Sequence, residues 1–299
     1  MGYVYDHEGN PLLTAYDING NSLLTAYDIN GNPIVLQNDY SNYTFTELFN
    51  KGPVGGDWIQ GIAYYDGVIF QLGDNKFQTI DMATGDYITD GYATMSNAGH
   101  GNSAQFSNEF YTDGDRFPLL YVSTNNQTPN YARVYRMTTS TATLIKSFLL
   151  NTLEDGYFTD SCVDSENGYL YTIGYLEENW QTQTQGNVLV LTKRDLNDLT
   201  DNGNGIYTAK LLSRLELNYW EYAAQGCCFY DDYIWMTFGG GSSPNNIYAI
   251  DPETGAKVYT VTIPNTREPE GIAWVLDKSD SPWMLVGQQY HLYQKCVFA

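Results

Sequence analysis

Five polar residues, Gln60, His100, Asp160, Gln225 and Glu270, each stand directly before a small residue that opens a strand-like run. Gathered in one place, two amides, one imidazole and two carboxylates would offer donors and acceptors suited to a sugar, a cation or ordered water. Aromatic residues recur in the polar segments between these runs, among them Trp58, Trp180, Tyr219 and Trp220, and Arg267 sits in the last such segment. Ring faces stack on the C–H faces of sugars while amides and carboxylates take the hydroxyls, so all of these are candidate ligand-binding groups. The competing reading is a solvated channel whose flanking aromatics only cover sheet edges. Asp160 and Glu270 are also the two carboxyls that glycoside hydrolysis would need, with Asp57 or Glu268 as a third. Gln, His and Gln at the other three positions weigh against catalysis, and no Ser–His–Asp pattern, nucleophile elbow or phosphate-cradling Gly loop stands out. No catalytic residue, metal ligand or cofactor is therefore assigned. Cys162, Cys227, Cys228 and Cys296 lack metal-ligand spacing and read as buried thiols.

Residues so far apart in sequence need a repeat to bring them together. The runs read QGIAYYDGVIF from Gln60, HGNSAQF from His100 with PLLYVS from Pro118, DSCVDSENGYLY from Asp160, QGCCFYDDYIW from Gln225, and EGIAW from Glu270 with PWMLV from Pro282. Their spacing of roughly 40 to 65 residues fits one four-stranded propeller blade plus variable loops. Phe77–Asp81, Arg133–Met137, Asn187–Lys193 and Asn246–Asp251 read as third strands, and the turns Ala83–Asp86 and Pro252–Gly255 lead into fourth strands. Small residues at the head of each inner strand fit a place where strands converge on an axis. The segment from Tyr43 to Phe49 has the shape of the outer strands that precede each linker, and the last repeat runs out after Tyr290–Lys295. This predicts a five-bladed, all-β propeller over residues 41–299, closed by strand 43–49 serving as the outer strand of the fifth blade, which leaves no open edge. A long β-sandwich is the alternative.

Ahead of this body, residues 1–40 repeat with an 11-residue period: YDHEGNPLLTA from Tyr5, YDINGNSLLTA from Tyr16 and YDINGNPIVLQ from Tyr27. Each unit reads as a turn and a short strand, a β-hairpin leader too small to bury its own core. It is expected to serve attachment or self-association. Asp17, Asn19 and Asn21 resemble a calcium loop only in part, because the Gly comes too early and no distal Glu follows.

With 35 acidic against 14 basic residues the formal charge is −21, which argues against nucleic acid and anionic lipid as partners. The composition is 15% aromatic and only 16% charged, with 28 Gly, as many short strands joined by tight turns require. No apolar window is long enough to span a membrane, and MGYVYDHEGNPLL lacks the basic and apolar regions of a signal peptide. The stretch Asp195–Gly205 reads as an acidic, solvated turn that would hold calcium only loosely.

GHGNSAQFS around His100, QGIAYYDGVIF around Gln60 and AQGCCFYDDYIW around Gln225 resemble the five-bladed propellers in receptor-binding tail proteins of phages that infect Gram-positive bacteria, and the related helveticin-like propellers. In that family a Gly-His-Gly motif lies on an inner strand, which is the match carried by His100. The leader resembles the YDxNGN repeats at the N-termini of proteins from gut Firmicutes and their prophages. The resemblance implies a virion or extracellular protein that binds a cell-surface glycan such as wall teichoic acid, often as a trimer. Two alternatives stand beside it: a propeller glycoside hydrolase acting on cell-wall or plant polysaccharide, and a structural virion protein that binds protein neighbours.

Overall fold

The computed structural model describes residues 26–27, 33–34, 39–51, 59–124, 129–178, 188–240, 245–276 and 281–298. The chain divides into two units, Met1–Tyr40 and Ser41–Ala299. In the first, Ala26–Tyr27 pairs antiparallel with Pro33–Ile34, and the remainder of the 11-residue repeat lies outside the described residues. So do Asp57, Trp58 and Trp180.

The second unit is built from five four-stranded antiparallel blades, each running from an innermost strand outwards. Blade one is Gly61–Tyr65, Val68–Gly73, Lys76–Asp81 and Ala93–Thr94. Blade two is Ala104–Phe106, Leu120–Ser123, Asn130–Met137 and Ala142–Leu150. Blade three is Tyr157–Asp164, Tyr169–Tyr175, Leu189–Asp201 and Ile206–Glu216, and blade four is Ala224–Tyr230, Tyr233–Phe238, Asn246–Ile250 and Lys257–Thr262. Blade five takes Pro269–Val275, Trp283–Gln288 and Leu292–Phe298 from the end of the chain and Tyr43–Asn50 from near its start, with Phe298 opposite Tyr43.

The second strand of each blade is buried on both faces, as VIFQLG, YIWMTF and WMLVGQ show. Neighbouring blades cover it from both sides, which is why it reads as a mainly apolar run and not as an alternation, with Gln71, Thr237 and Gln288 buried within it. Outer strands such as Lys257–Thr262 alternate between buried or half-buried and exposed positions instead. Apolar clusters fill the wedges between blades: Phe70, Phe77, Leu120 and Tyr135 between the first two, and Cys162, Ile173, Met236 and Phe238 between the third and fourth.

The register of the inner strands follows from steric room. A Cβ on Gly61 would lie 2.2 Å from the Gly101 carbonyl oxygen, one on Gly271 would lie 2.7 Å from the Ile62 nitrogen, and one on Gly226 would lie 2.8 Å from the Gly271 Cα. Backbones touch there, so nothing larger than glycine fits. The five inner strands share one centre, which excludes the sandwich.

Blade three departs from the expected pattern. Its third strand does not stop near Lys193 but runs to Asp201, so Asp195–Asp201 is strand and the turn is confined to Asn202–Gly205. The long outer hairpin reaches across to blade two, where Ser147 and Phe148 pair in parallel with Ile206 and Tyr207. The acidic letters mislead because those side chains lie on a solvent-facing hairpin that needs no apolar alternation.

Candidate functional site

Hydrogen bonds show which loops share a face. Asn130 Nδ2 in blade two donates to Thr159 Oγ1 at 3.4 Å, and the Tyr175 hydroxyl donates to the Glu221 carbonyl and accepts from the Ala224 nitrogen, both at 2.9 Å. Asn245 Nδ2 donates to the Arg267 carbonyl at 2.6 Å. In each case a middle strand's loop end, or the loop itself, is tied to the linker or the first residues of the next blade's inner strand. These ties fix the rim of one mouth of the propeller.

A chain of amides and carboxylates converges there. Asn102 Nδ2 donates to Gln225 Oε1 at 3.4 Å, Gln225 Nε2 donates in turn to Glu268 Oε1, and Gln289 Nε2 donates to Glu268 Oε2. Glu270, two residues on and 4% exposed, feels both Glu268 and the Gln289 amide. His100 lies close enough to Glu268 to favour its charged form, and its Nδ1 sits 2.8 Å from Asp74 Oδ1. The oxygen of the buried Asn102 amide has no hydrogen-bond partner among the described residues. A buried acceptor left in that state is a position where a ligand hydroxyl or water gains a full hydrogen bond.

The residues singled out by sequence fall in different places. Gln225, Glu270 and His100 belong to this cluster. Gln60 is half-buried at the head of blade one, its nitrogen donating to the Leu72 carbonyl at 2.9 Å. Asp160 is fully enclosed and accepts from Ser103 Oγ at 2.9 Å and Ser123 Oγ at 3.2 Å, so it tethers blade three to blade two below the surface. Tyr219 packs in the wedge between blades three and four with Lys257 Nζ 4.0 Å from its ring centroid. Trp220 and the exposed Tyr222 form a tilted pair 6.2 Å apart, and Arg267 lies 5.8 Å from the ring of exposed Tyr290. Sequence reading offers Glu268 only as an extra acid and misses Asn102, Asp74 and Gln289, whose letters carry no signal until the blades close.

Burial, and then the neighbouring Glu268, push the Glu270 carboxyl well above the usual range. Burial also raises Glu268, against the Gln289 amide and His100. A carboxyl whose folded pKa is raised holds its proton in the folded state over a pH range where the unfolded chain has lost it. Its stabilising contribution is therefore complete below the unfolded value of about 4.3 and fades as pH rises through the folded value. Glu270→Gln is expected to flatten the fall of melting temperature with rising pH and to raise the melting temperature at neutral pH. Melting profiles of wild type and variant across pH 4 to 8 check this, and parallel profiles would contradict it.

The opposite mouth is an open cavity of about 1200 Å³, framed by the far ends of all five inner strands and the turns that follow them. Between the two mouths the axis is filled. Gln105 donates to the carbonyls of Val163 and Phe229, both at 3.1 Å, and accepts from their nitrogens at 3.1 and 2.9 Å, so one amide joins three blades and floors the cavity.

No family model matches the chain, and no curated protein matches it. Among solved structures it is similar to the tail fibre of Staphylococcus aureus phage P68, with 14% identity and a TM-score of 0.53 over 85% of this chain and 52% of that one. The chain thus spans about half the length of that fibre. More distant are regucalcin, a calcium-binding protein from Agrobacterium tumefaciens (13% identity, TM-score 0.40, 79% of this chain and 74% of that one), and Saccharomyces cerevisiae Sqt1 (9%, 0.36, 76% and 54%).

Proposed function

We propose that this chain is a phage- or prophage-tail-associated receptor-binding module, virion-borne, that recognises a bacterial surface glycan at the mouth holding Asn102, Gln225, Glu268, Glu270 and Gln289. The propeller shared with a phage tail fibre supports the tail setting. The observation that carries glycan recognition is the linked row of amides and carboxylates ending on the unsatisfied Asn102 oxygen, since sugar hydroxyls both donate and accept. Tyr222, Tyr290 and Arg267 on the same rim supply stacking faces and a cation. Residues 1–40 serve attachment to the particle or self-association, with a trimer as the assembly the family resemblance implies, and wall teichoic acid is the surface polymer first to be tried.

The test is retention of the protein on purified Gram-positive cell walls, together with thermal protection by soluble wall fragments, which grows with ligand concentration. Gln225→Ala is expected to weaken binding about tenfold or more, because it removes a hydrogen bond to a charged group at the centre of the row. Absence of wall binding, or binding indifferent to that change, would sink the proposal. The raised carboxyls of Glu268 and Glu270 favour hydrolysis as a second reading. New reducing ends from wall or plant oligosaccharides, lost in Glu270→Gln, would establish it.

A further inference from the structure

We infer that the cavity at the opposite mouth is a second ligand site, one that takes an oligosaccharide bearing protonated amines. Two aromatic walls face its interior. On one side Tyr65 stands 5.7 Å from Phe106 and 6.3 Å from Phe110, centroid to centroid, and on the other Tyr230 stacks on Trp274 at 4.2 Å beside Phe229. Phe110 is 44% exposed although it lines the cavity, so its ring is available to a ligand. The volume of about 1200 Å³ exceeds the roughly 300–1000 Å³ usual for small-molecule pockets, which suits several sugar rings better than a lone ion.

Charge selects among sugars. Among the described residues five carboxylates line the cavity, and Arg116, 3.2 Å from Asp66, is the one basic residue of that lining. Asp164 is spent on its own turn, accepting from the backbone and side-chain nitrogens of Asn167 at 3.1 and 2.8 Å. Of the other three, Asp231 is half-buried, while Glu166 and Asp232 are exposed at the rim. Aromatic faces beside carboxylates form the environment that stabilises an ammonium group through ring quadrupole and Coulomb attraction together. A neutral N-acetyl group gains neither, and a phosphate-rich polymer would be repelled. The blade-two turn that carries Phe110 is held in place by Arg136, whose Nη2 lies 2.6 Å from Asp115 Oδ1. Gln105 fixes the floor, so the cup is preformed.

Calorimetric titration of the full chain with tetraglucosamine, and with its fully N-acetylated counterpart, at low ionic strength and pH 6 tests the inference. Tetraglucosamine is expected to bind at least about tenfold more tightly than the acetylated tetramer, and the difference should shrink as salt is added. The double variant Glu166→Gln/Asp232→Asn should weaken tetraglucosamine binding about tenfold and Phe110→Ala roughly threefold, while Gln225→Ala leaves it unchanged. All three cup residues are exposed, so folding is not at stake. Equal binding of the two tetramers, no binding of tetraglucosamine, or loss in Gln225→Ala with the cup variants unaffected would each overturn it. Because the cup variants and Gln225→Ala lie at opposite mouths, failure at the cup leaves the reading of the first mouth standing.

Discussion

Replacing Arg194 by Met is expected to destabilise the propeller by about 3–5 kcal/mol, the usual cost of stripping one partner from a buried ion pair. Arg194 is 1% exposed and Asp155 fully buried, with Nη2 2.7 Å from Asp155 Oδ2 and Nε 2.9 Å from Oδ1. Nη2 also reaches Glu154 Oε2 at 2.6 Å and Nη1 the Ala209 carbonyl at 2.8 Å, while Thr172, Thr192 and the Asn151 nitrogen all donate to Asp155. With the guanidinium gone, Asp155 would be left as a buried charge whose remaining donors are neutral. The melting temperature should drop by roughly 6–9 °C for a domain of this size. In Arg194→Met/Asp155→Leu the orphaned charge is absent as well, so the pair should lose less than the sum of the single changes. Strict additivity in a calorimetric double-mutant cycle would show that the network is not coupled. The network matters to the site because Asp155 closes the short turn Thr152–Asp155 that leads into Asp160 and the inner strand of blade three.

Gly61→Ala is expected to cost about 3 kcal/mol and to disturb the first mouth as well. The new methyl would fall 2.2 Å from the Gly101 carbonyl oxygen and 2.6 Å from that of Asn102, both backbone atoms that cannot swing away. Relief requires blades one and two to part at the axis, moving Asn102 off Gln225. Gly114, whose added Cβ would meet nothing within 4 Å, supplies the control: Gly114→Ala should stay within about 0.5 kcal/mol of wild type. Chemical denaturation of the two variants decides between them. Equal stability would mean that the ring at the axis yields more easily than backbone packing allows.

How much of this could be read from letters depends on whether one strand or several decide the outcome. The blade pattern was legible because each inner strand carries its own local requirement. Gly61, Gly226 and Gly271 must be glycine because neighbouring backbones touch there, and the doubly covered second strands must be mainly apolar. The overreach of blade three was not legible, because Asp195–Asp201 pairs on a solvent-facing hairpin where acidic residues are as acceptable as in a loop. For the mouth, position before an inner strand marks which residues approach the axis but not how deep they lie. Asp160 is drawn inside by two serine hydroxyls from blade two, and Gln105, an unremarkable letter within an apolar run, turns out to join three blades. Gln289 follows a middle strand of blade five and meets Glu268 only when that blade folds back on its own linker. The second mouth left no trace in the letters, since its aromatics are also what strand ends need.

The row of side chains from Asn102 through Gln225 to Glu268 and Gln289 exists only because blades two, four and five meet at one axis, and the proposal for the first mouth stands on that meeting. Crystals soaked with host-wall glycan fragments examine it most directly. Sugar density hydrogen-bonded to Asn102 Oδ1 and the carboxyls of Glu268 or Glu270 is the predicted result. Ordered fragments bound only elsewhere on the molecule, with this row unchanged and hydrated, would contradict it.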